Sequence, residues 1–197
     1  TTTVDLIGIA VDNIEKVNFV SETGSSSATG TTTNAFGFLA NMADEVTAVN
    51  ITGDADVLFT NVSSSLDVVA VTIDASGMTG VGDLEFVQTA NLVTGSTVTG
   101  SSNGDTIALG TTLGSTYNLG AGDDAASSVI ATLVADGTDD TVLSMGAGTD
   151  TLTISDASAD TTVIDSHFTN VSGAEKLTMS TTGAVSITTG GSFTTAF

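Results

Sequence analysis

The 197-residue sequence contains no cysteine, proline, tryptophan or arginine. Without cysteine there can be no disulfides, thiolate metal sites or thiol nucleophile, and cysteine usage leaves the compartment open. Without proline, the turns must be made by Gly, Asn and Asp. Aromatic residues are 5% and charged residues 13%, the latter about half the usual share of roughly 25%. Cations are nearly missing: Lys16 and Lys176 face 23 Asp and Glu, for a net charge of −21 at pH 7. Such a chain repels polyanions, which argues against nucleic acid and anionic membranes as partners. No apolar run approaches the ~20 residues that span a bilayer, so no membrane insertion is expected. The opening "TTTVDLIGIAVDNIEKVNF" has neither an initiator Met nor a basic leader segment. With the abrupt finish at "GGSFTTAF", the chain reads as a piece of a longer polypeptide.

What fills the chain instead is Thr, Val, Ala, Ser, Gly and Asp, at a hydrophobic fraction of 40% and a mean hydropathy of +0.35. That hydrophobicity argues against disorder. Branched Thr and Val suit a pleated, half-buried surface, while Gly and Asp suit the turns between strands. The composition is all-β. Periodicity gives short alternating segments rather than a sustained helical stripe. Strands are expected at Val4–Ile9, Glu15–Val20, Val46–Thr52, Val57–Thr60, Asp67–Ile73 and Asp83–Gln88. Shorter ones are expected near Ile107, Tyr117, Ile130, Val142, Leu152, Val163, Leu177 and Ile187. One segment, "TNAFGFLANMADEV", puts Phe36, Leu39, Ala40 and Ala43 on one face, so a short helix within 34–45 stands as an alternative to a strand there. Evenly spaced short strands indicate a sandwich, a barrel or a solenoid. The division expected is an N-terminal, irregular β region over 1–70 and a β-solenoid over 71–197, the two being open to reading as one continuous domain.

Two kinds of repeat lie beneath this pattern. "VDNIEKVNF" (Val11–Phe19), "VGDLEFVQT" (Val81–Thr89) and "VSGAEKLTM" (Val171–Met179) share a Glu four residues after a Val. A structural module explains a triplicated Glu better than a catalytic role does, with Glu and Lys on the solvent side where a strand begins. The second kind is glycine–aspartate: "GSSNGDTIA" (Asp105), "LGAGDDAAS" (Asp124), "DGTDDTVLS" (Asp140) and "MGAGTDTLT" (Asp150). The common form is G-x-G-x-D-x-U, where U is an apolar residue entering the core. Gly120/Gly122/Asp124 and Gly146/Gly148/Asp150 match each other, and Asp123 and Asp139 add a second acid beside Asp124 and Asp140. Glycines let the backbone turn tightly and aim carbonyl oxygens at a cation. Asp supplies hard oxygen ligands of the kind Ca²⁺ takes six to eight of, so stacked turns would have to share each ion. The spacing suggests Asp105, Asp124 and Asp140 on one edge, with Asp150 on the other. Two plainer readings stand beside it: turns without metal, and an acidic solvated surface.

Other chemistries fit less well. Neither lysine follows a glycine as a phosphate-binding P-loop requires, and no helix follows the glycine loops as a dinucleotide site requires. The only histidine, His167, has no G-x-S-x-G elbow to serve and is expected on a surface loop. Carboxylate pairs such as Asp123/Asp124 suit glycoside hydrolysis, but a chain without arginine and with one tyrosine, Tyr117, is poorly equipped to hold acidic sugars. Thr-rich runs such as Ser96–Thr99 suggest an ice-binding face, yet they are scattered along the sequence. The chain is not expected to be an enzyme.

The glycine–aspartate stretches resemble the nonapeptide G-G-x-G-x-D-x-U-x of secreted RTX calcium-binding proteins. Together with "VTIDASGMTGVGDLEF" and "VIDSHFTNVSGAEKLTM", they resemble the calcium-dependent surface-layer (S-layer) proteins of Gram-negative bacteria that leave the cell by type I secretion. The resemblance in motifs covers about Val71 to Met179. It implies an extracellular, cell-surface location and self-assembly of identical subunits into a lattice or filament, with cell-surface polysaccharide as a further partner. It also implies Ca²⁺ held by the residues at 105, 120, 122, 123, 124, 139, 140, 146, 148 and 150. The alternative within the same class is a monomeric calcium-binding domain of a large adhesin.

Overall fold

The computed structural model describes residues 4–9, 13–23, 33–38, 45–61, 69–88, 91–135, 137, 139–156 and 160–197. In the first half run β1 (Val4–Ile9), β2 (Lys16–Ser21), β3 (Thr33–Phe38), β4 (Ala48–Gly53), β5 (Asp56–Asn61), β6 (Thr72–Met78) and β7 (Leu84–Gln88). Shorter strands follow: β8 (Thr97–Thr99), β9 (Thr106–Ala108), β10 (Thr116–Asn118), β11 (Ala125–Ser128), β12 (Val142–Ser144) and β13 (Thr151–Ile154). The last stretch holds β14 (Asp160–Val163), β15 (Val171–Ser172), β16 (Lys176–Met179), β17 (Ala184–Ile187) and the helix α1 (Gly191–Ala196). Two short 3-10 helices, Ile130–Leu133 and Asp165–Phe168, interrupt the series.

Successive strands alternate between two sheets. One has the order β1-β3-β5-β7-β9-β11-β13-β16, the other β15-β12-β10-β8-β6-β4-β2, and β14 pairs with β17 alone. Pairing is parallel throughout the described residues. A chain that climbs one strand per sheet per turn, always in the same direction, is a β-solenoid, one of the three all-β architectures the strand spacing allowed and the one expected for 71–197. The longer strands of the N-terminal part carry the register shifts, between Ile7 and Ile9 and between Asn50 and Thr52.

Alternation fixes the core, because every second residue of each strand points between the sheets. One interior column of the first sheet runs Phe36, Phe59, Phe86, Ile107, Ala126, Leu152, Leu177 in register. Its first members are rings: Phe36 stacks on Phe59 at 4.3 Å and 3°, and Phe59 meets Phe86 at 5.3 Å, tilted by 37°. Phe19, from the opposite sheet, stacks on Phe36 at 4.2 Å. The facing column includes Val49, Ile73, Val98, Tyr117 and Leu143, each almost fully buried.

One local alternative is decided and one expectation is corrected. Thr33–Phe38 is a strand rather than the start of a helix, because Phe36 and Phe38 both enter the phenylalanine cluster; the rest of that segment, 39–44, lies outside the described residues. No strand centres on Ile130: β11 ends at Ser128, and Ile130–Leu133 turns as a 3-10 helix that buries Thr132 and Leu133. The strands expected near Ile107, Tyr117, Leu152 and Leu177 are β9, β10, β13 and β16.

Candidate metal centre

The glycine–aspartate motifs form one corner of the solenoid. Between β8 and β9, β10 and β11, and β12 and β13, the chain crosses between sheets in six residues each: GSSNGD (100–105), LGAGDD (119–124) and MGAGTD (145–150). Equal length lets these turns stack. The Gly122 N–H donates to the Ala147 carbonyl at 2.9 Å, and the Ala147 N–H donates to the Gly120 carbonyl at 3.0 Å. Approach this close requires glycine. Gly146 has φ +98°, and a Cβ there would overlap the Gly120 carbonyl oxygen; at Gly148 it would overlap that of Gly122.

At the foot of each turn, just before the strand of the first sheet, sits an acid. The Asp105 carboxylate accepts from the Leu84 N–H at 2.7 Å, Asp124 from the Asp105 N–H at 2.7 Å, and Asp150 from the Asp124 N–H at 2.8 Å. Glu175 completes the series by accepting from the Asp150 N–H at 2.7 Å. Each acid therefore caps a backbone donor of the turn before it. Asp105, Asp124 and Asp150 are 1%, 2% and 0% exposed. Asp105 is saturated, since its second oxygen accepts from the Ser101 N–H at 2.7 Å. The second oxygens of Asp124 and Asp150 are buried and have no hydrogen-bond partner.

The opposite corner does the same backbone job with neutral groups. Ahead of β8, the Ser96 hydroxyl accepts from the Val71 N–H at 3.1 Å, and ahead of β12 the Thr141 hydroxyl accepts from the Gly114 N–H at 3.3 Å. A hydroxyl is thus enough to satisfy the amide. A carboxylate in that role brings a surplus oxygen and a charge that is costly to bury.

The electrostatics follow from that cost. Burial raises the Asp124 carboxyl to about 7, with Asp105, Asp150 and Asp123 adding repulsion against the lowering by the Asp105 N–H. Burial likewise raises Asp105, and raises Asp150 with help from Glu175 and Asp123. Asp83, the residue before β7, is pushed up to about 6 by burial and then by Asp56, Asp105 and Glu85. Asp83, Asp105, Asp124 and Asp150 thus resist ionisation unless a cation joins them.

The expected site divides between the two corners. Asp105, Gly120, Gly122, Asp123, Asp124, Gly146, Gly148 and Asp150 share the tight corner, where the exposed Asp123 accepts from the Thr149 N–H at 2.8 Å. Asp139 and Asp140 do not join them. They lie ahead of β12 on the opposite side, with Asp140 accepting from the Gly137 N–H at 3.1 Å and from Asn170 at 3.2 Å. The expected edges are therefore corrected: Asp150 aligns with Asp105 and Asp124, and Asp140 does not. The 3-10 helix at Ile130–Leu133 lengthens that turn, so the acid in register with Asp124 comes 26 residues later. His167 is also corrected, being 9% exposed within a 3-10 helix, where its Nδ1 accepts from the Ile164 N–H at 3.2 Å. Glu175, read as a structural mark at a strand start, and Asp83 were not among the expected site residues. Glu175 belongs to the V-x-x-φ-E repeat, and its position just before a strand was the available signal.

An oxygen-only donor set and two buried carboxylate oxygens without a hydrogen-bond partner are the chemistry a hard cation such as Ca²⁺ takes. Among the described residues, no three His, Cys, Asp or Glu side chains converge as a ready-made cluster, so backbone carbonyls would have to supply much of the shell. No family model, curated protein or solved structure matches the chain.

Proposed function

We propose that the chain is a structural, self-assembling extracellular surface protein, an S-layer or filament subunit, folded and cross-linked by Ca²⁺. The observation that carries this reading is the surplus oxygen at Asp124 and Asp150, placed where the opposite corner manages with hydroxyls. Asp124 and Asp150, with the glycine carbonyls of the stacked turns, would hold the ion inside the corner. The bound charge would offset the repulsion along the column and turn metal affinity into folding energy. Exposed acids such as Asp123 and, on the opposite side, Asp139 are suited to bridging neighbouring subunits through further Ca²⁺ ions.

The test is thermal unfolding by circular dichroism in chelator and in millimolar Ca²⁺, with electron microscopy of the same samples. At 100 times the dissociation constant, one site adds about 2.7 kcal/mol. For a chain of this size that is a rise in Tm of roughly 5–10 °C. Ordered arrays should form with Ca²⁺ and dissolve in chelator. A melting curve indifferent to chelator would overturn the calcium reading. A calcium-stabilised monomer at every concentration would leave the alternative, a calcium-binding adhesin domain.

A further inference from the structure

The helix α1 is held chiefly by the 3-10 helix Asp165–Phe168. The Asp165 carboxylate accepts from the Phe193 N–H at 2.9 Å and from the Ser192 N–H at 3.2 Å, both in the first turn of α1. Phe168, 1% exposed, meets the rings of Phe193 and Phe197 edge-on at 5.1 and 5.5 Å. Further along, the Ala174 N–H donates to the Ala196 carbonyl at 2.9 Å, and Ala196 is buried. With six residues, α1 is far below the ~12–15 that sustain a helix in water alone. Its order therefore depends on the 3-10 helix keeping its shape.

That shape leans on one side chain. His167 holds the third position of the 3-10 helix, and its Nδ1 reaches back to accept the Ile164 N–H at 3.2 Å. Gln or Glu does this work in a capping box. Only the neutral imidazole has that lone pair; a second ring proton sets a donor against a donor. Because His167 is almost wholly buried, water has little access to replace the lost acceptor. Burial holds the imidazole below its ordinary 6.5, against the pull of Asp156. Asp156 lies between β13 and β14 and itself accepts from the Ile130 N–H at 3.1 Å. Of the other acids in this stretch, Asp165 is kept ionised chiefly by the Phe193 N–H, and Asp160 accepts from the Ala184 N–H at 3.3 Å. The two helices packed on this one, α1 and Ile130–Leu133, carry no titratable side chain.

We infer that His167 is an acid-sensitive latch: its protonation breaks the Ile164 contact, loosens the 3-10 helix and releases α1 with the rings of Phe193 and Phe197. The latch uses none of the corner acids, so it operates whether or not the corner holds Ca²⁺. With α1 released, the imidazole titrates at its ordinary 6.5. The released state then binds more protons below that pH, and docking weakens as pH falls through the range. In metal-free protein the buried aspartates of the tight corner respond in the opposite sense, gaining stability as pH falls. Acid thus tightens the corner while it frees α1.

The experiment is hydrogen exchange of the whole chain in chelator at pH 7.5 and pH 5.0. Mass spectrometry reads protection factors for peptides covering α1 and peptides covering β11 to β13. The wild type should lose about tenfold of its α1 protection at pH 5.0, the scale of one buried amide left without its acceptor. Protection of β11 to β13 should not fall. His167→Gln keeps an acceptor and cannot take the proton, so it should hold α1 equally at both pH values. His167→Phe fills the space without an acceptor and should leave α1 poorly protected at both. Should that variant fail to fold, the wild type and His167→Gln carry the test. Wild-type protection of α1 that is the same at both pH values would overturn the proposal. So would a loss of equal size in His167→Gln, or one shared by β11 to β13, which would mark general acid unfolding.

Discussion

Replacing Asp124 by Asn separates the two jobs of the carboxyl ladder. In the metal-free protein the Asp124 carboxyl is raised by burial to about 7, against an ordinary 3.8. A group raised in the folded state contributes stability that is fully present below its unfolded value. That contribution is lost as pH climbs through the folded value. Metal-free protein should therefore be most stable near pH 4 and weaken progressively up to pH 7 and beyond. At 1.36 kcal/mol per pH unit the undiscounted loss is about 4 kcal/mol. Screening by water at this thin corner reduces it to roughly 2 kcal/mol. Asn keeps the oxygen that accepts the Asp105 N–H and removes the charge, but it sets an unpartnered amide where the orphan oxygen was, costing about 1 kcal/mol. In chelator at pH 8, Asp124→Asn should therefore match or exceed wild type by up to about 1 kcal/mol. At pH 4 it should fall below wild type by about the same amount. If Asp124 ligates Ca²⁺ as proposed, the order at pH 8 should reverse when Ca²⁺ is added. Chemical denaturation at both pH values, with and without Ca²⁺, reads all of these. A variant equally destabilised at pH 4 and pH 8 in chelator would refute the argument.

Three further substitutions probe the scaffold by itself. Gly146→Ala forces a Cβ onto the Gly120 carbonyl oxygen at φ +98°, so denaturant melts should show a loss of about 3 kcal/mol or more. Gly137→Ala, at φ +84° with open space around it, isolates the backbone strain and should cost only about 1 kcal/mol. Phe59→Ala removes the ring that lies between Phe36 and Phe86 and should cost about 3–5 kcal/mol, measurable as a lower denaturation midpoint at unchanged slope.

The solenoid was legible because its physics is local and repeated. Thr and Val alternation, glycine at positive φ and an apolar residue two places after each aspartate all act within one turn. Leu152, two residues after Asp150, is fully buried as that pattern requires. What could not be read was phase. Whether Asp140 or Asp150 aligns with Asp124 depends on the length of the intervening turn, and that length is set by the 3-10 helix at Ile130–Leu133, which looks like one more apolar strand in sequence. The Thr33–Phe38 strand was hidden for a similar reason. Phe36 is placed by partners at positions 19 and 59, beyond the reach of any local window. The ladder itself is a contact between turns, so spacing pointed to its acids without showing which amide each would meet.

The ladder also has a direction. Every carboxylate reaches back to an amide of the turn that precedes it in the chain. A tear between two turns therefore strips the earlier turn of the acceptor its amide had. A stack bound this way has no inexpensive plane of cleavage along the tight corner. Strain applied along the axis should pass to the opposite corner, where hydroxyls can turn to water, and the molecule should open there first, like a book with its spine on the aspartates.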